Sequence, residues 1–206
     1  MTKTLILANL AIFLLLLVTG LSQLAAIKGG MFPARFTVGD APLAQFTPLV
    51  PFWLTPLTSA FQHGGWMHLL FNMLMLVFCG SFVEQALGSR LTALLYVTGA
   101  YAATLAEILF NGESFVPVIG ASGAISAIVA AYALLYSRGT VSAIGPFSGA
   151  TVRVMWLAAA WIGIQLMIGF AGTGELANIA IWSHIGGFIA GLALTKPLLM
   201  FRFRSA

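Results

Sequence analysis

Residues 119–137 read IGASGAISAIVAAYALLYS, a run that contains no charged residue. Its length is near the roughly 20 residues that a helix needs to cross about 30 Å of hydrocarbon. Glycine, alanine and serine dominate its first half, and in lipid such small residues let two helix backbones approach closely. The stretch therefore predicts a membrane-spanning helix that packs tightly against another helix.

The composition extends this prediction to the whole chain. Hydrophobic residues make up 60% of the 206 positions and charged residues only 7%, whereas soluble domains carry about 25% charged residues. We therefore expect an all-α membrane protein, a single domain over residues 1–206, with a long outer loop over 28–66. Apolar stretches long enough to span a membrane lie at roughly 4–27, 67–87, 91–110, 119–137, 152–170 and 179–200. These six stretches predict a bundle of six transmembrane helices.

The first stretch and the long loop each allow a second interpretation. The apolar run over 4–27 is longer than the roughly 7–15 residues of a signal-peptide core, so we interpret it as a span. The loop over 28–66 mixes prolines with aromatic residues, a mixture typical of a folded loop in the membrane interface. Its hydrophobicity argues against a flexible linker.

The positive charges predict the orientation in the membrane. A formal net charge of +4 would indicate a nucleic-acid partner in a soluble protein, but here the cations cluster at helix ends and nucleic acid is excluded. If the N-terminus is cytoplasmic, the outer side carries only Lys28 and Arg35, and the inner side carries Lys3, Arg90, Arg138, Arg153, Lys196, Arg202 and Arg204. Because lysine and arginine favour the cytoplasmic side, we expect both termini in the cytoplasm.

Polar residues in three of the spans converge at one depth. The second, fourth and sixth spans enter from the same side, with His68 and Asn72 early in the second, Ser122 early in the fourth and His184 early in the sixth. At 1.5 Å per residue, each lies on the order of 5–10 Å into its span. A lone serine in a span usually bonds its own helix, but an ionisable histidine there is costly and indicates function. We predict that the four share one site.

The local sequence indicates what this site does. Gly120 and Gly123 flank Ser122 and leave space around its hydroxyl, and an early helical position supplies unpaired backbone N–H groups for a developing oxyanion. His68 and Asn72 are four residues apart and share a helix face, as two donors to one oxygen require. We therefore predict that Ser122 is a nucleophile and His184 its general base.

Other chemistries fit the sequence less well. None of the five acids has an obvious link to His184, so a Ser122–His184 dyad is favoured over a triad, although Glu107 stays open as an orienting acid. A zinc protease would show the motif H-E-x-x-H, which is absent. An aspartyl protease needs two aspartates, and Asp40 is the only one. We expect no metal and no organic cofactor.

Three segments resemble the rhomboid family of intramembrane serine proteases. The run HGGWMHLLFN over 63–72, followed by Gly80 and the segment from Glu84 to Gly88, resembles the second helix of the family. The segment 120–123 resembles its nucleophile motif, and His184 with Gly187 and Gly191 resembles its sixth helix. The order and spacing agree over roughly residues 50–195. The resemblance implies a six-helix rhomboid-like bundle.

The resemblance also implies roles for the site residues. Ser122 would attack a peptide carbonyl, His184 would remove its proton, and His68 with Asn72 would hold the oxyanion. The substrate would be another membrane protein in the lipid bilayer, cut in or near a transmembrane segment beside its outer end. The segment 171–182, with Gly172, Gly174 and Trp182, would act with the fifth helix as a moving gate.

The sequence departs from the family at two places. The tryptophan–arginine pair of the first loop is absent, since Leu54 and Thr55 stand at its position. The tyrosine one helical turn after the nucleophile, which packs on the catalytic histidine, is replaced by Ser126. We therefore expect the support of His184 to come from elsewhere.

Two further functions stay open, and one location is favoured. A non-catalytic member of the same fold would bind and escort membrane proteins. A small-solute transporter would explain buried polar groups, but its site is expected near the bilayer midplane rather than at one face. The sequence is compatible with a bacterial inner membrane or an organellar membrane, and the compact size favours the bacterial one.

Overall fold

The structure is a computed structural model that describes residues 1–136, 141–171 and 180–204. Within these ranges, four helices are long and apolar enough to cross a membrane: Thr2–Thr19, Trp66–Leu87, Ser89–Asn111 and Ile181–Arg202. The segments Ser122–Tyr136 and Gly149–Ile164 are shorter and also apolar. The helical membrane bundle predicted from the sequence is thus confirmed. Most of the expected gate segment, residues 172–179, lies outside the described residues.

The first apolar stretch forms two helices rather than one. Helix α1 spans Thr2–Thr19 and ends at Gly20, whose φ of 69° is left-handed, and α2 spans Ser22–Gly29. Glycine adopts this conformation without the steric cost of a Cβ atom, so it ends a helix readily. The prediction of one helix over 4–27 is therefore wrong at Gly20, because a hydropathy profile contains no information about backbone conformation.

The other apolar stretches form helices close to their predicted bounds. Helix α5 (Trp66–Met75) continues through a π-helical turn into α6 (Ser81–Leu87). Helix α7 spans Ser89–Asn111, α8 spans Ser122–Tyr136, α9 spans Gly149–Ala171 and α10 spans Ile181–Arg202. The helix predicted from residue 119 thus begins only at Ser122, because Gly120 has a φ of 117° that an α-helix does not allow.

The loop between α2 and α5 is folded, as its composition predicts. It contains the short helices α3 (Pro33–Thr37) and α4 (Thr55–Thr58) and several 3-10 turns. Arg35, counted above as an outer surface charge, is buried in this loop, where its Nε donates to Asp40 over 2.7 Å and its Nη2 donates to the Val50 carbonyl over 2.9 Å. The hydrogen bond from Arg35 lowers the pKa of Asp40. These contacts fix the shape of the loop.

The loop also holds the segment that leads into α8. Met31 and Val118 exchange two backbone hydrogen bonds of 3.2 and 2.7 Å. The backbone N–H of Gly120 donates to the carbonyl of Ser59 over 2.9 Å. The position of Ser122 therefore depends on the loop as well as on the helices.

Helix α8 lies at the centre of the bundle and packs against α10 through small residues. Residues 123–128, 130 and 131 are buried. A Cβ atom on Gly187 would collide with the carbonyl oxygen of Gly123, and one on Gly191 would collide with that of Ala127. Since only glycine allows this approach, the tight packing predicted for the helix over 119–137 is confirmed, and its partner is α10.

We expect Gly191→Val to lower the free energy of unfolding by about 1–3 kcal/mol, because the added side chain overpacks a tight contact and forces the two helices apart. The free energy of unfolding in detergent measures the effect. Gly163→Val is the matched control, because no atom lies within 4 Å of a Cβ added at this helical glycine. Equal unfolding of the two variants would contradict the packing explanation.

Candidate active site

Ser122 is the first residue of α8 and follows a strained turn. Gly120 has a φ of 117°, and a Cβ atom there would lie 2.5 Å from Nε2 of His68. Both the conformation and the lack of space therefore require glycine at this position. Within α8 the N–H of Ile125 bonds to the Ala121 carbonyl over 2.9 Å. The N–H groups that precede Ile125 in the first turn have no acceptor within the helix, so free backbone donors lie within one turn of Ser122 in the chain.

Helix packing brings Ser122 and His184 into direct contact. The Oγ atom of Ser122 lies 2.8 Å from Nε2 of His184, although 62 residues separate them. In the tautomer that leaves Nε2 unprotonated, the serine hydroxyl donates this bond. Both residues are half-buried. This is the geometry in which an imidazole can accept the proton of an attacking hydroxyl.

His68 lies against the same turn, with its ring oriented by the loop. The backbone N–H of Gly64 donates to Nδ1 of His68 over 3.4 Å. In the neutral ring this bond favours the tautomer that carries the proton on Nε2. Because Nε2 is the atom that faces Gly120, His68 can present an N–H donor two residues before Ser122.

Asn72 lies on the same helix face as His68 but bonds its own backbone. Its Nδ2 donates to the His68 carbonyl over 2.8 Å, and its Oδ1 is buried without a hydrogen-bond partner in the described residues. The amide group has two N–H donors, and this bond uses one of them. Asn72 therefore retains one donor.

His63 belongs to the support of the site. Its ring packs edge-on to His68, with 5.0 Å between the ring centroids. Burial, together with the nearby His68, lowers the pKa of His63 to about 4, so this ring is neutral at pH 7. His63 therefore contributes packing beside His68 rather than a charge.

Glu107 contacts the residue before His184. Its Oε2 accepts bonds from the backbone N–H and the hydroxyl of Ser183 at 2.9 and 3.0 Å. Its Oε1 accepts a bond of 2.6 Å from Asn111. The sequence leaves Glu107 open as an orienting acid, but Ser183 carries no signal that would have identified it as the partner.

Trp161 supports His184 from a second side. Its Nε1 donates to the backbone carbonyl of His184 over 3.3 Å, and its ring stacks on Phe188 with 4.9 Å between centroids. Ser126, which replaces the family tyrosine, instead donates to the Ser122 carbonyl over 2.8 Å. The sequence predicts support from elsewhere but does not identify Trp161, because an aromatic residue in an apolar helix is unremarkable.

A small cavity opens beside Ser122. It has a volume of about 20 Å³ and is lined by the outer loop, α7, α8 and the first turn of α10, including Ser59, Ala103, Val118 and Ser183. One water molecule needs roughly 10–15 Å³ of such space and a few polar partners. The site therefore has room for water next to the serine.

Comparisons with known proteins identify the family of this helical membrane bundle. The Rhomboid domain family matches residues 52–201. RHOMBOID-like protein 4 of Arabidopsis thaliana is 29% identical over 145 residues, which are 70% of this chain and 34% of that protein. RHOMBOID-like protein 2 of the same plant is 31% identical over 145 residues, 70% of this chain and 42% of that protein.

A bacterial relative matches over a longer range. The rhomboid protease GlpG of Salmonella paratyphi A is 30% identical over 185 residues, which are 86% of this chain and 61% of that protein. The chain thus matches less than two thirds of the length of these relatives. It belongs to the rhomboid family and is an integral membrane protein.

Proposed function

We propose that this chain is an intramembrane serine endopeptidase that hydrolyses peptide bonds of membrane proteins. The observation that supports it most is the 2.8 Å contact between Ser122 Oγ and His184 Nε2 at the start of α8. Membership of a family that includes a relative named rhomboid protease supports the same activity. The site residues are Ser122 as nucleophile, His184 as general base, and His68 with Asn72 as oxyanion donors.

The reaction follows from the positions of these groups. Ser122 Oγ attacks the peptide carbonyl while its proton passes to Nε2 of His184. The carbonyl oxygen gains the negative charge, which the N–H groups of the first turn of α8, His68 Nε2–H and Asn72 stabilise. The intermediate then expels the amine, which takes the proton from His184. A water molecule, deprotonated by His184, finally attacks the ester on Ser122. The Ser122 oxygen leaves, takes the proton back from His184, and the carboxylic acid product is released.

The proposal includes substrate and orientation. Substrates are single-span membrane proteins, cut in or near the transmembrane segment beside its outer end. Both termini of the chain lie in the cytoplasm, and the membrane is a bacterial inner membrane. The distribution of lysine and arginine supports this orientation.

Covalent labelling tests the activity without knowledge of the natural substrate. A fluorophosphonate or isocoumarin probe should label the purified protein, and mass spectrometry should find the adduct on Ser122. Cleavage of a single-span test substrate in liposomes should accompany the labelling. Absence of both would leave the chain a non-catalytic member of the fold, and uptake of solutes into liposomes would indicate a transporter.

The oxyanion role of Asn72 gives a separate prediction. We expect Asn72→Ala to lower kcat on the order of a hundredfold with little change in KM, because a donor that acts on the developing oxyanion is lost. Steady-state kinetics on the test substrate measure both constants.

Asn9 offers a matched control for Asn72. It is also buried in a membrane helix, donates to the carbonyl four residues before it over 2.8 Å, and has an Oδ1 without a partner in the described residues. Asn9→Ala should lose comparable stability but keep its turnover. If both variants keep full turnover, Asn72 is a structural residue.

A further inference from the structure

We infer that Glu107 is a positioning residue for His184, which it holds through hydrogen bonds to Ser183 rather than through the imidazole ring. The inference rests on the proposed function, because it assigns Glu107 a part in the same reaction. Within the described residues, Glu107 forms its hydrogen bonds with Ser183 and Asn111, so we expect its effect on His184 to pass through the backbone of α10.

The beginning of α10 receives no side-chain hydrogen bond from its own N-cap residue. Its N-cap residue, Ala180, has no side chain that accepts a hydrogen bond, yet the first N–H groups of a helix need acceptors. In a membrane the cost of an unsatisfied N–H is high. Glu107 of α7 supplies the missing acceptor from a position 76 residues earlier in the sequence. A carboxylate is well suited to this place, since the helix dipole favours negative charge at the N-terminus.

The carboxyl group of Glu107 is itself held in place. Both of its oxygens accept hydrogen bonds, one from Asn111 at 2.6 Å and the other twice from Ser183. The residue is 4% exposed. An ionisable side chain within a span is costly to bury and therefore indicates a function. Capping and positioning of α10 give it one.

Two neighbouring contacts join the same ends of α7 and α10. The rings of Phe110 and Trp182 stack with 3.8 Å between centroids and 10° between planes. A Cβ atom on Gly186 would lie 2.5 Å from that of Ala106. The first turn of α10 is thus held against α7 on both sides of Ser183, and His184 follows directly in the chain.

The variant pair Glu107→Leu and Glu107→Gln tests this role. Leucine removes all three acceptor contacts, whereas the glutamine carbonyl can still accept from Ser183 and its amide can pair with a flipped Asn111 amide. We expect Glu107→Leu to lower kcat on the order of a hundredfold with KM unchanged, since small misplacements of a catalytic group cost about this much. Glu107→Gln should stay within a few-fold of the parent.

Hydrogen exchange supplies a readout that needs no turnover. The amides of 181–184 should exchange faster in Glu107→Leu and at the parent rate in Glu107→Gln. Thr92→Val is the matched control, because Thr92 is a fully buried polar residue in the first turn of the same helix. It should leave both kcat and exchange at 181–184 unchanged.

The outcomes separate this inference from the proposed function. Two results would overturn the positioning role in a parent that is labelled and active. One is an unchanged kcat in Glu107→Leu, and the other is a loss of kcat in Glu107→Gln as large as that in Glu107→Leu. A parent without labelling or turnover overturns the proposed function instead. If Glu107→Leu fails to fold, Asn111→Ala is the substitute. It removes only the hydrogen bond from Asn111 to Glu107 and should still lower kcat several-fold. Unchanged kcat and exchange in that variant would overturn the inference.

Discussion

Replacement of Ser122 by alanine should reduce cleavage of a single-span test substrate to the background rate. The expected loss is on the order of 10⁵-fold or more, because the substitution removes the atom that forms the bond to the substrate. Expression and helix content should not change, since Ser122 is the half-buried first residue of α8 and its hydroxyl forms a hydrogen bond only with His184 among the described side chains. Gel-based cleavage in detergent and in liposomes measures the loss.

Ser126→Ala provides the matched control for this experiment. Ser126 lies one turn further along the same helix, is buried, and donates to the backbone carbonyl of Ser122. Its loss removes a hydroxyl of the same chemistry but not the nucleophile, so turnover should stay within a few-fold of the parent. Turnover of Ser122→Ala near the parent level in both media would exclude the protease function.

Replacement of His184 by alanine should abolish both turnover and probe labelling. An unassisted serine hydroxyl is a weak nucleophile at neutral pH, so even the first covalent step depends on the base. The expected loss is also on the order of 10⁵-fold, and the Ser122→Ala/His184→Ala double variant should be no slower than either single variant. Such non-additivity is typical of residues that act as one unit.

The folding of the His184 variant needs its own control. His184→Gln retains a side chain of similar size on α10 and should unfold in detergent like the parent, while it also loses turnover. Labelling of His184→Ala at the parent rate would mean that another group takes the proton from Ser122.

Hydropathy made the helices predictable but not their ends. The cost of placing polar backbone in lipid forces each long apolar stretch into a helix, and this effect depends on local sequence alone. The break at Gly20 and the late start of α8 at Ser122 depend on single glycine conformations with φ of 69° and 117°. An averaged hydropathy profile contains no term for such conformations.

Part of the candidate site was predictable for a related reason. Ser122, His184, His68 and Asn72 stand out because polar residues are rare in these spans, and the prediction of a common depth follows from the expected direction of each helix. Their catalytic roles stay predictions. The hydrogen bond that Asn72 donates to the backbone of its own helix was not predictable. A side-chain amide can donate to its own helix or to a group on another helix, and the sequence spacing allows both.

The sequence by itself determined that this is a membrane protein of several helices, and it predicted a serine and histidines at one level below one face of the membrane. Those features arise from composition, span length and residue position, which act within each helix. The tertiary structure alone decided that Glu107 contacts Ser183 and that Trp161 contacts the carbonyl of His184. The packing of small residues between two helices decides which other residues of those helices face each other. This packing forms only when the helices come together, so the sequence of each helix does not show it.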